Sequence, residues 1–302
     1  MHCILYTLYL IVSKIVYNVI IVLVNKMESR IYYHKRKKFL KRINTLLFII
    51  SFCIFFFCSY KLFIWNKENN SSKRISSNIN KYVGEKKARG ENINPPSDKE
   101  DDYFKYVKIN MLNVNFNELL KINSDTVGFI KVNGTNINYP VVQNSNNIYY
   151  LSHAYDKSKN SAGWVFADYR NNMKDFDKNT VIYAHGRLNN TMFGSLKNIL
   201  KSKWYDNKDN YVIKFSTPYE NTLWRVFSVY SIKAESYYIT TYFDNNYDEF
   251  LQTIKNRSLK DFNTDVTTND KVLTLSTCKD TSGKKRVVMH AKLIKVEKNK
   301  FY

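Results

Sequence analysis

Glycine is scarce in this chain, at eight of 302 residues. None of the eight sits in a phosphate-cradling run, so glycine-loop nucleotide chemistry is excluded. Cysteine is scarcer still, at four, and no Cys or His pair has the spacing of a zinc site. No internal repeat is visible. Acidic residues are outnumbered, 26 Asp and Glu against 47 Lys and Arg, for a formal net charge of +21.

That charge is unevenly spread. The first 100 residues carry +12 of it, and they also hold the long apolar runs. Basic clusters beside apolar runs are membrane-topology signals before they are nucleic-acid sites. Residues 45–65 (TLLFIISFCIFFFCSYKLFIW) have the length of a spanning helix, which needs about 20 residues. Lys61 near the far end can snorkel, and Tyr60 and Trp65 are interfacial anchors. The preceding HKRKKFLKR cluster, within a cytoplasmic segment 1–44, stays inside and sends everything after Trp65 outside. A second apolar stretch, residues 3–24, is broken by Lys14. It is either a second span or lies ahead of the functional start, since Met27 opens a sequence with a complete basic-then-apolar anchor. No small-residue cleavage site follows Trp65, which favours an uncleaved anchor over a signal peptide.

Residues 66–101 are rich in Asn, Ser and Lys without an apolar period, and read as a weakly structured polar stalk. The remainder, 102–302, reads as the folded domain. Residues 102–123 predict one or two helices. Strand-like runs follow at 126–132, 135–142, 163–167, 180–184, 211–216, 222–232, 271–277 and 286–296. Asn133-Gly134 supplies a hairpin signal between the first two. Helical patterns interrupt at 192–204 and 247–257. The pattern predicts a mainly β fold, an eight-stranded closed barrel with peripheral helices, preceded by an N-terminal transmembrane helix.

Three of the four cysteines, Cys3, Cys53 and Cys58, fall in the apolar runs, which leaves Cys278 alone in the polar body with no disulfide partner. It ends the strand KVLTLSTC. Period-2 geometry puts Val272, Thr274, Ser276 and Cys278 on one face and Leu273, Leu275 and Thr277 on the other. A free thiol is commonly a small buried hydrophobe, but outside the cytoplasm a lone one is a liability unless it is used. Arg286, eight residues on, has a charge that stabilises a thiolate and a guanidinium that donates to a developing oxyanion. It is equally readable as a solvated strand residue. A histidine must serve the leaving group. His185 ends the strand NTVIYAH ahead of Gly186, and His290 shares a strand face with Arg286 about 13 Å along it. His153 has no such context. Pattern alone favours His185 over His290 and leaves both open.

TLSTC with an arginine eight residues later resembles the TLxTC…R signature of sortases, the cysteine transpeptidases of Gram-positive-type envelopes. The segments YPVVQ, YYLSH, SAGWVFADYRN, NTVIYAHG, MFGSLKN and RVVMHAKL extend the resemblance to class B, over about residues 110–297. The resemblance implies His185, Cys278 and Arg286 as the catalytic set. It implies Ser276, Asn147 and the stretch Tyr237, Tyr238, Ile239 and Thr240 as substrate-binding, the tyrosines being equally readable as strand packing. It also implies a two-step transfer of secreted proteins bearing a C-terminal sorting motif to a peptidoglycan cross-bridge amine, through a thioacyl enzyme. Neither cofactor nor metal is expected, because no calcium loop is recognisable. One departure is visible: the family commonly has Gly before the histidine and Asn after it, where this chain has Ala184 and Gly186.

Two other classes fit parts of the pattern. A papain-like wall peptidase places Cys before His, the reverse of this chain, and an L,D-transpeptidase carries an SHGC-type motif that is absent here. A membrane-anchored, non-enzymatic envelope domain with an incidental thiol is the third reading.

Overall fold

The computed structural model describes residues 14, 18, 30–87, 108–233, 235–278 and 285–299, with the backbone alone at residues 30–35 and 278. The chain forms two compact units, Met1–Asn66 and Lys67–Tyr302.

In the first unit the described structure is the long helix α1 (Arg30–Asn80) up to residue 66. Phe48, Phe52 and Phe56 recur at i, i+4 spacing, with ring centroids 6.2 and 4.6 Å apart, and Phe48, Phe52, Phe55, Phe56 and Phe57 are all more than half exposed. An exposed aromatic surface of this kind has no place in water. The helix contains a window long and apolar enough to cross a bilayer, and it is a candidate membrane span. Lys61 lies over the Phe57 ring at 5.5 Å. Cys53 and Cys58 are both free thiols. Apart from residues 14 and 18, the apolar stretch 3–24 lies outside the described residues.

The second unit is a closed barrel. In chain order its elements are β1 (Val83–Lys86), β2 (Met111–Val114), α2 (Phe116–Ile122), β3 (Thr126–Val132), β4 (Asn138–Val142), β5 (Phe166–Ala167), β6 (Asn179–His185), α3 (Ser202–Tyr205), β7 (Val212–Ser216), β8 (Glu220–Lys233), α4 (Tyr247–Asn256), β9 (Val272–Cys278) and β10 (Lys285–Lys298). Around the barrel the order is β10-β8-β7-β3-β4-β5-β6-β9. Neighbours are antiparallel except β4/β5 and β6/β9, which are parallel. Each of the eight expected strand runs contributes one strand.

Alternation along β9 sorts its side chains as period 2 requires. Leu273 and Leu275 join Phe129, Val141, Trp224 and Met289 in the barrel interior. Val272 turns outward into a second cluster with Val288, Phe227 and Tyr230, capped by Tyr247, Phe250, Leu251 and Ile254 of α4. Those four recur at i, i+3, i+4 and i+7, one face of a helix.

Four expectations need correction. The polar segment that begins at residue 66 is helical through Asn80 and then forms β1, which pairs with β2 from Val83↔Val114 to Lys86↔Met111. It lacks a sustained apolar period because the face it buries mixes polar and apolar residues: Ile79 joins the core with Ile75 against it, while Asn69 and Ser72, at most 3 % exposed, are hydrogen-bonded to Arg187 and Asn160. Burial of such groups is tolerated when they are paired. Residues 111–114, read as helix, are a strand because β1 offers a ladder. Residues 192–204 are mostly 3₁₀, Gly194–Leu200, followed by the single turn α3. The Asn133-Gly134 hairpin is a five-residue connection rather than a two-residue turn, since β4 starts only at Asn138.

Candidate active site

The parallel β6/β9 pair positions the first two groups. Its register runs from Asn179↔Val272 to His185↔Cys278, so both strands end together with histidine and cysteine side by side in the ladder. β10 runs antiparallel on the other side of β9, with Val288 opposite Ser276. Carried two residues further, that register brings position 286 across from position 278. The three expected catalytic positions thus come from three adjacent strands at one end of the barrel. The side chain of Cys278, and the loop 279–284 that leads to β10, lie outside the described residues.

His185 is half-buried. Its Nε2 is 2.8 Å from the Leu151 carbonyl oxygen. A carbonyl only accepts, so in the neutral ring Nε2 carries the proton and Nδ1 is the atom that exchanges one. Burial pushes the imidazole below its ordinary 6.5; the Leu151 carbonyl opposes this, and the positive charges of Arg187 and Arg286 add to it. Gly163 packs against the ring: at φ +60°, a Cβ there would lie 2.5 Å from the Tyr150 carbonyl oxygen and 3.0 Å from His185 Cδ2. Only glycine lets the backbone approach so closely, which is why the expected strand 163–167 shrinks to Phe166–Ala167. The chain turns sharply after His185, whose carbonyl accepts from both Arg187 N and Phe193 N.

Arg286 is half-buried, and its Nη1 is buried without a hydrogen-bond partner among the described residues. A buried guanidinium N–H left unpaired is costly. Such a donor is available to an incoming oxygen.

His290, the competing histidine, is fully buried, and both its nitrogens are occupied: Nε2 by Tyr230 Oη and Nδ1 by Thr274 Oγ1, each at 2.8 Å. Burial pushes it down to about 3. It is a neutral structural residue. His153 stacks on Tyr149 at 4.0 Å and bonds that residue's carbonyl oxygen through Nδ1.

The expected substrate-binding residues fall into one hydrogen-bonded system. Ser276 is buried, with its Oγ 3.3 Å from Tyr238 Oη. The 3₁₀ turn Tyr237–Ile239 and Thr240 are pinned from below, where Asn179 Nδ2 donates to the carbonyls of Tyr238 and Thr240 at 3.1 and 2.8 Å. Asn179 Oδ1 in turn accepts from Thr274 Oγ1. Tyr237 Oη donates to Tyr230 Oη, and Arg257 lies over the Tyr237 ring at 4.5 Å. Arg170 Nη2 donates to the Ile239 carbonyl at 2.9 Å, while Nε and Nη2 hold Asp168 in a fork. Asn147 Nδ2 reaches the same carboxylate at 3.0 Å, and its Oδ1 accepts from Tyr169 N. The amide of Asn147 is therefore engaged within the protein. Burial alone would raise the carboxyl of Asp168, but Arg170 and the Tyr183 hydroxyl hold it below its usual range.

Sequence reasoning missed Asn179, Asp168, Arg170, Gly163 and Arg187. Gly163, Asp168 and Arg170 lie in the SAGWVFADYRN run and Asn179 opens NTVIYAHG, both of which carry the family resemblance, while Arg187 left no signal beyond a basic residue after a strand end.

A family model described as the sortase domain matches residues 130–294. Sortase B of Staphylococcus aureus (strain NCTC 8325 / PS 47) is 39 % identical over 185 residues, which cover 60 % of this chain and 75 % of that protein. Among solved structures, a Staphylococcus aureus sortase B–substrate complex superposes with a TM-score of 0.57 at 38 % identity, over 60 % of this chain and 85 % of that one. Sortase B from B. anthracis in complex with AAEK1 gives 0.61 at 31 % identity, over 76 % and 99 %.

Proposed function

Since the chain belongs to the sortase family, in its class B, and is a cysteine transpeptidase, we propose that His185, Cys278 and Arg286 are its catalytic set. The observation that carries this reading is the parallel register that makes His185 and Cys278 neighbours at the ends of β6 and β9. The Cys278 thiolate attacks the threonine carbonyl of a C-terminal sorting motif in a secreted protein. The C–S bond forms, the oxyanion collapses, and the departing glycine amine takes a proton from Nδ1 of the His185 imidazolium. Arg286, whose buried Nη1 has no partner among the described residues, donates to the oxyanion while it exists. An amine of the peptidoglycan cross-bridge then attacks the thioacyl carbon and returns the thiol.

The exposed side of Tyr237–Thr240 forms a wall of the groove that receives the motif, with the buried Ser276 backing it through Tyr238 and Asn147 acting behind it through Asp168. α1 anchors the enzyme in the cell membrane with the barrel on the outer face, as the basic cluster before the apolar run favours. Whether the stretch 3–24 adds a second span does not alter that orientation.

The test is to incubate the enzyme with LPxTG-like and NPxTN-like peptides and weigh the adduct. An acyl mass on Cys278, absent in Cys278→Ala and accumulating in His185→Ala or Arg286→Ala only slowly, is the expected result. Peptide turnover retained by Cys278→Ala overturns the nucleophile assignment.

A further inference from the structure

The loop that follows His185 is held from outside the barrel. Arg187 Nη2 donates to Asn69 Oδ1 at 2.6 Å, and its Nη1 to the Ser161 carbonyl at 3.3 Å. Asn69 belongs to the last three turns of α1, within the barrel unit. The same helical segment grips the turn that backs the imidazole. Asn160 Nδ2 donates to both the Glu68 carbonyl and Ser72 Oγ at 3.2 Å, and Ser161 Oγ donates to Glu68 Oε2. Asn160 is turned by these bonds so that its Oδ1 accepts from Ala162 N at 2.8 Å, and its carbonyl accepts from Gly163 N at 3.0 Å. Gly163 in turn is the residue packed on the His185 ring.

Two routes of contact therefore run from one face of the helix to the imidazole. One passes through Arg187 into the backbone two residues after His185. The other passes through Asn160 and Gly163 to the ring face and the Leu151 carbonyl that holds Nε2. Asn69, Ser72 and Asn160 are each at most 3 % exposed, so these are fixed contacts, not surface tethers. Most of this set is paired; of the Asn69 amide, Nδ2 is buried without a partner among the described residues, so the amide is held through its oxygen by Arg187. Residue 186 explains why it is needed here. Among the described residues a Cβ at Gly186 would meet only Thr277, at 3.6 Å, so the described side chains leave the space beside the histidine unfilled and the loop is secured from elsewhere.

We infer that Glu68, Asn69 and Ser72 are positioning residues for catalysis, holding the His185 imidazole in register through Arg187 and the Asn160–Gly163 turn. The helix is then a working part of the active site rather than a spacer. This rests on His185 being the proton donor, and the experiment separates the two claims.

In full-length enzyme in detergent, the variants Asn69→Ala, Asn69→Asp and His185→Ala are compared for kcat, KM and melting temperature with a cleavable sorting peptide. The expected result is a tenfold or greater loss of kcat in Asn69→Ala with KM within twofold of the parent. In Asn69→Asp, which keeps an oxygen for Arg187, kcat should recover to within threefold of the parent. Equal melting temperatures for the two Asn69 variants show that the loss is not unfolding. If His185→Ala is inactive while Asn69→Ala turns over normally, the positioning role is overturned and the catalytic assignment stands. If Asn69→Asp is as slow as Asn69→Ala, or the loss appears in KM alone, the positioning role is likewise overturned. If His185→Ala retains turnover, both fall.

Discussion

At the scale of single residues, the chemistry depends on which groups are left unsatisfied. Arg286 keeps a buried donor free among the described residues, and its planar fork is what a lysine lacks. Arg286→Lys is expected to lower kcat by about 10²-fold, the range lost when one oxyanion donor is removed, with charge retained. Near-parental kcat, measured by single-turnover acylation, would mean that diffuse charge suffices. His290 is the opposite case, with both nitrogens occupied and its pKa held near 3 by burial. Between pH 6.5 and 3 the unfolded chain binds a proton there that the folded chain refuses, so stability falls as pH drops through that window. Each unit costs about 1 kcal/mol from this group. His290→Gln should therefore melt below the parent at pH 7.5, with the gap narrowing by pH 5. A gap that does not change with pH in thermal scans would show that the ring does not resist protonation. The sequence left the choice between these histidines open because a strand-end position and a strand-face position look alike until their partners are known. Tyr230 and Thr274, which settle the role of His290, stand 60 and 16 residues from it.

At the scale of elements, the turn Tyr237–Ile239 is held by side chains from distant parts of the chain: Asn179 of β6 below, Arg170 from the turn after β5 at its end and Tyr230 of β8 behind. Removing a clamp should loosen the groove without touching the reacting atoms. Asn179→Ala is expected to raise KM for the sorting peptide about tenfold, equivalent to about 1.4 kcal/mol of lost binding, while kcat stays within threefold. A change in kcat alone would argue against a groove role. Arg170→Ala strands the buried Asp168 carboxylate and should also cost about 1–3 kcal/mol of stability, read by denaturant titration. The barrel strands were legible because each is an apolar, β-branched run between turn signals. The β1/β2 pair was not, because four residues become a strand only when a partner supplies a ladder. The last turns of α1 were hidden for a related reason: the face they bury mixes Asn69 and Ser72 with only two apolar residues, Ile75 and Ile79, too few to mark a period.

At the scale of the whole molecule, an apolar helix and a basic enzyme share one chain. With the HKRKKFLKR cluster retained inside, protease added to intact cells should digest the 102–302 domain and leave a membrane-bound fragment. Full protection would invert the orientation. The resemblance that gave family and fold covered the barrel and stopped short of residues 67–80, so the reading of that segment as a spacer came from composition alone.

The seam between β6 and β9 joins stretches that are distant along the chain, and parallel pairing over such a separation is among the slower contacts to form. Histidine and cysteine become neighbours only when that seam shuts. On the proposed catalytic assignment, a chain whose seam is still open holds its thiol without the histidine, and reactivity arrives only once the cylinder is whole.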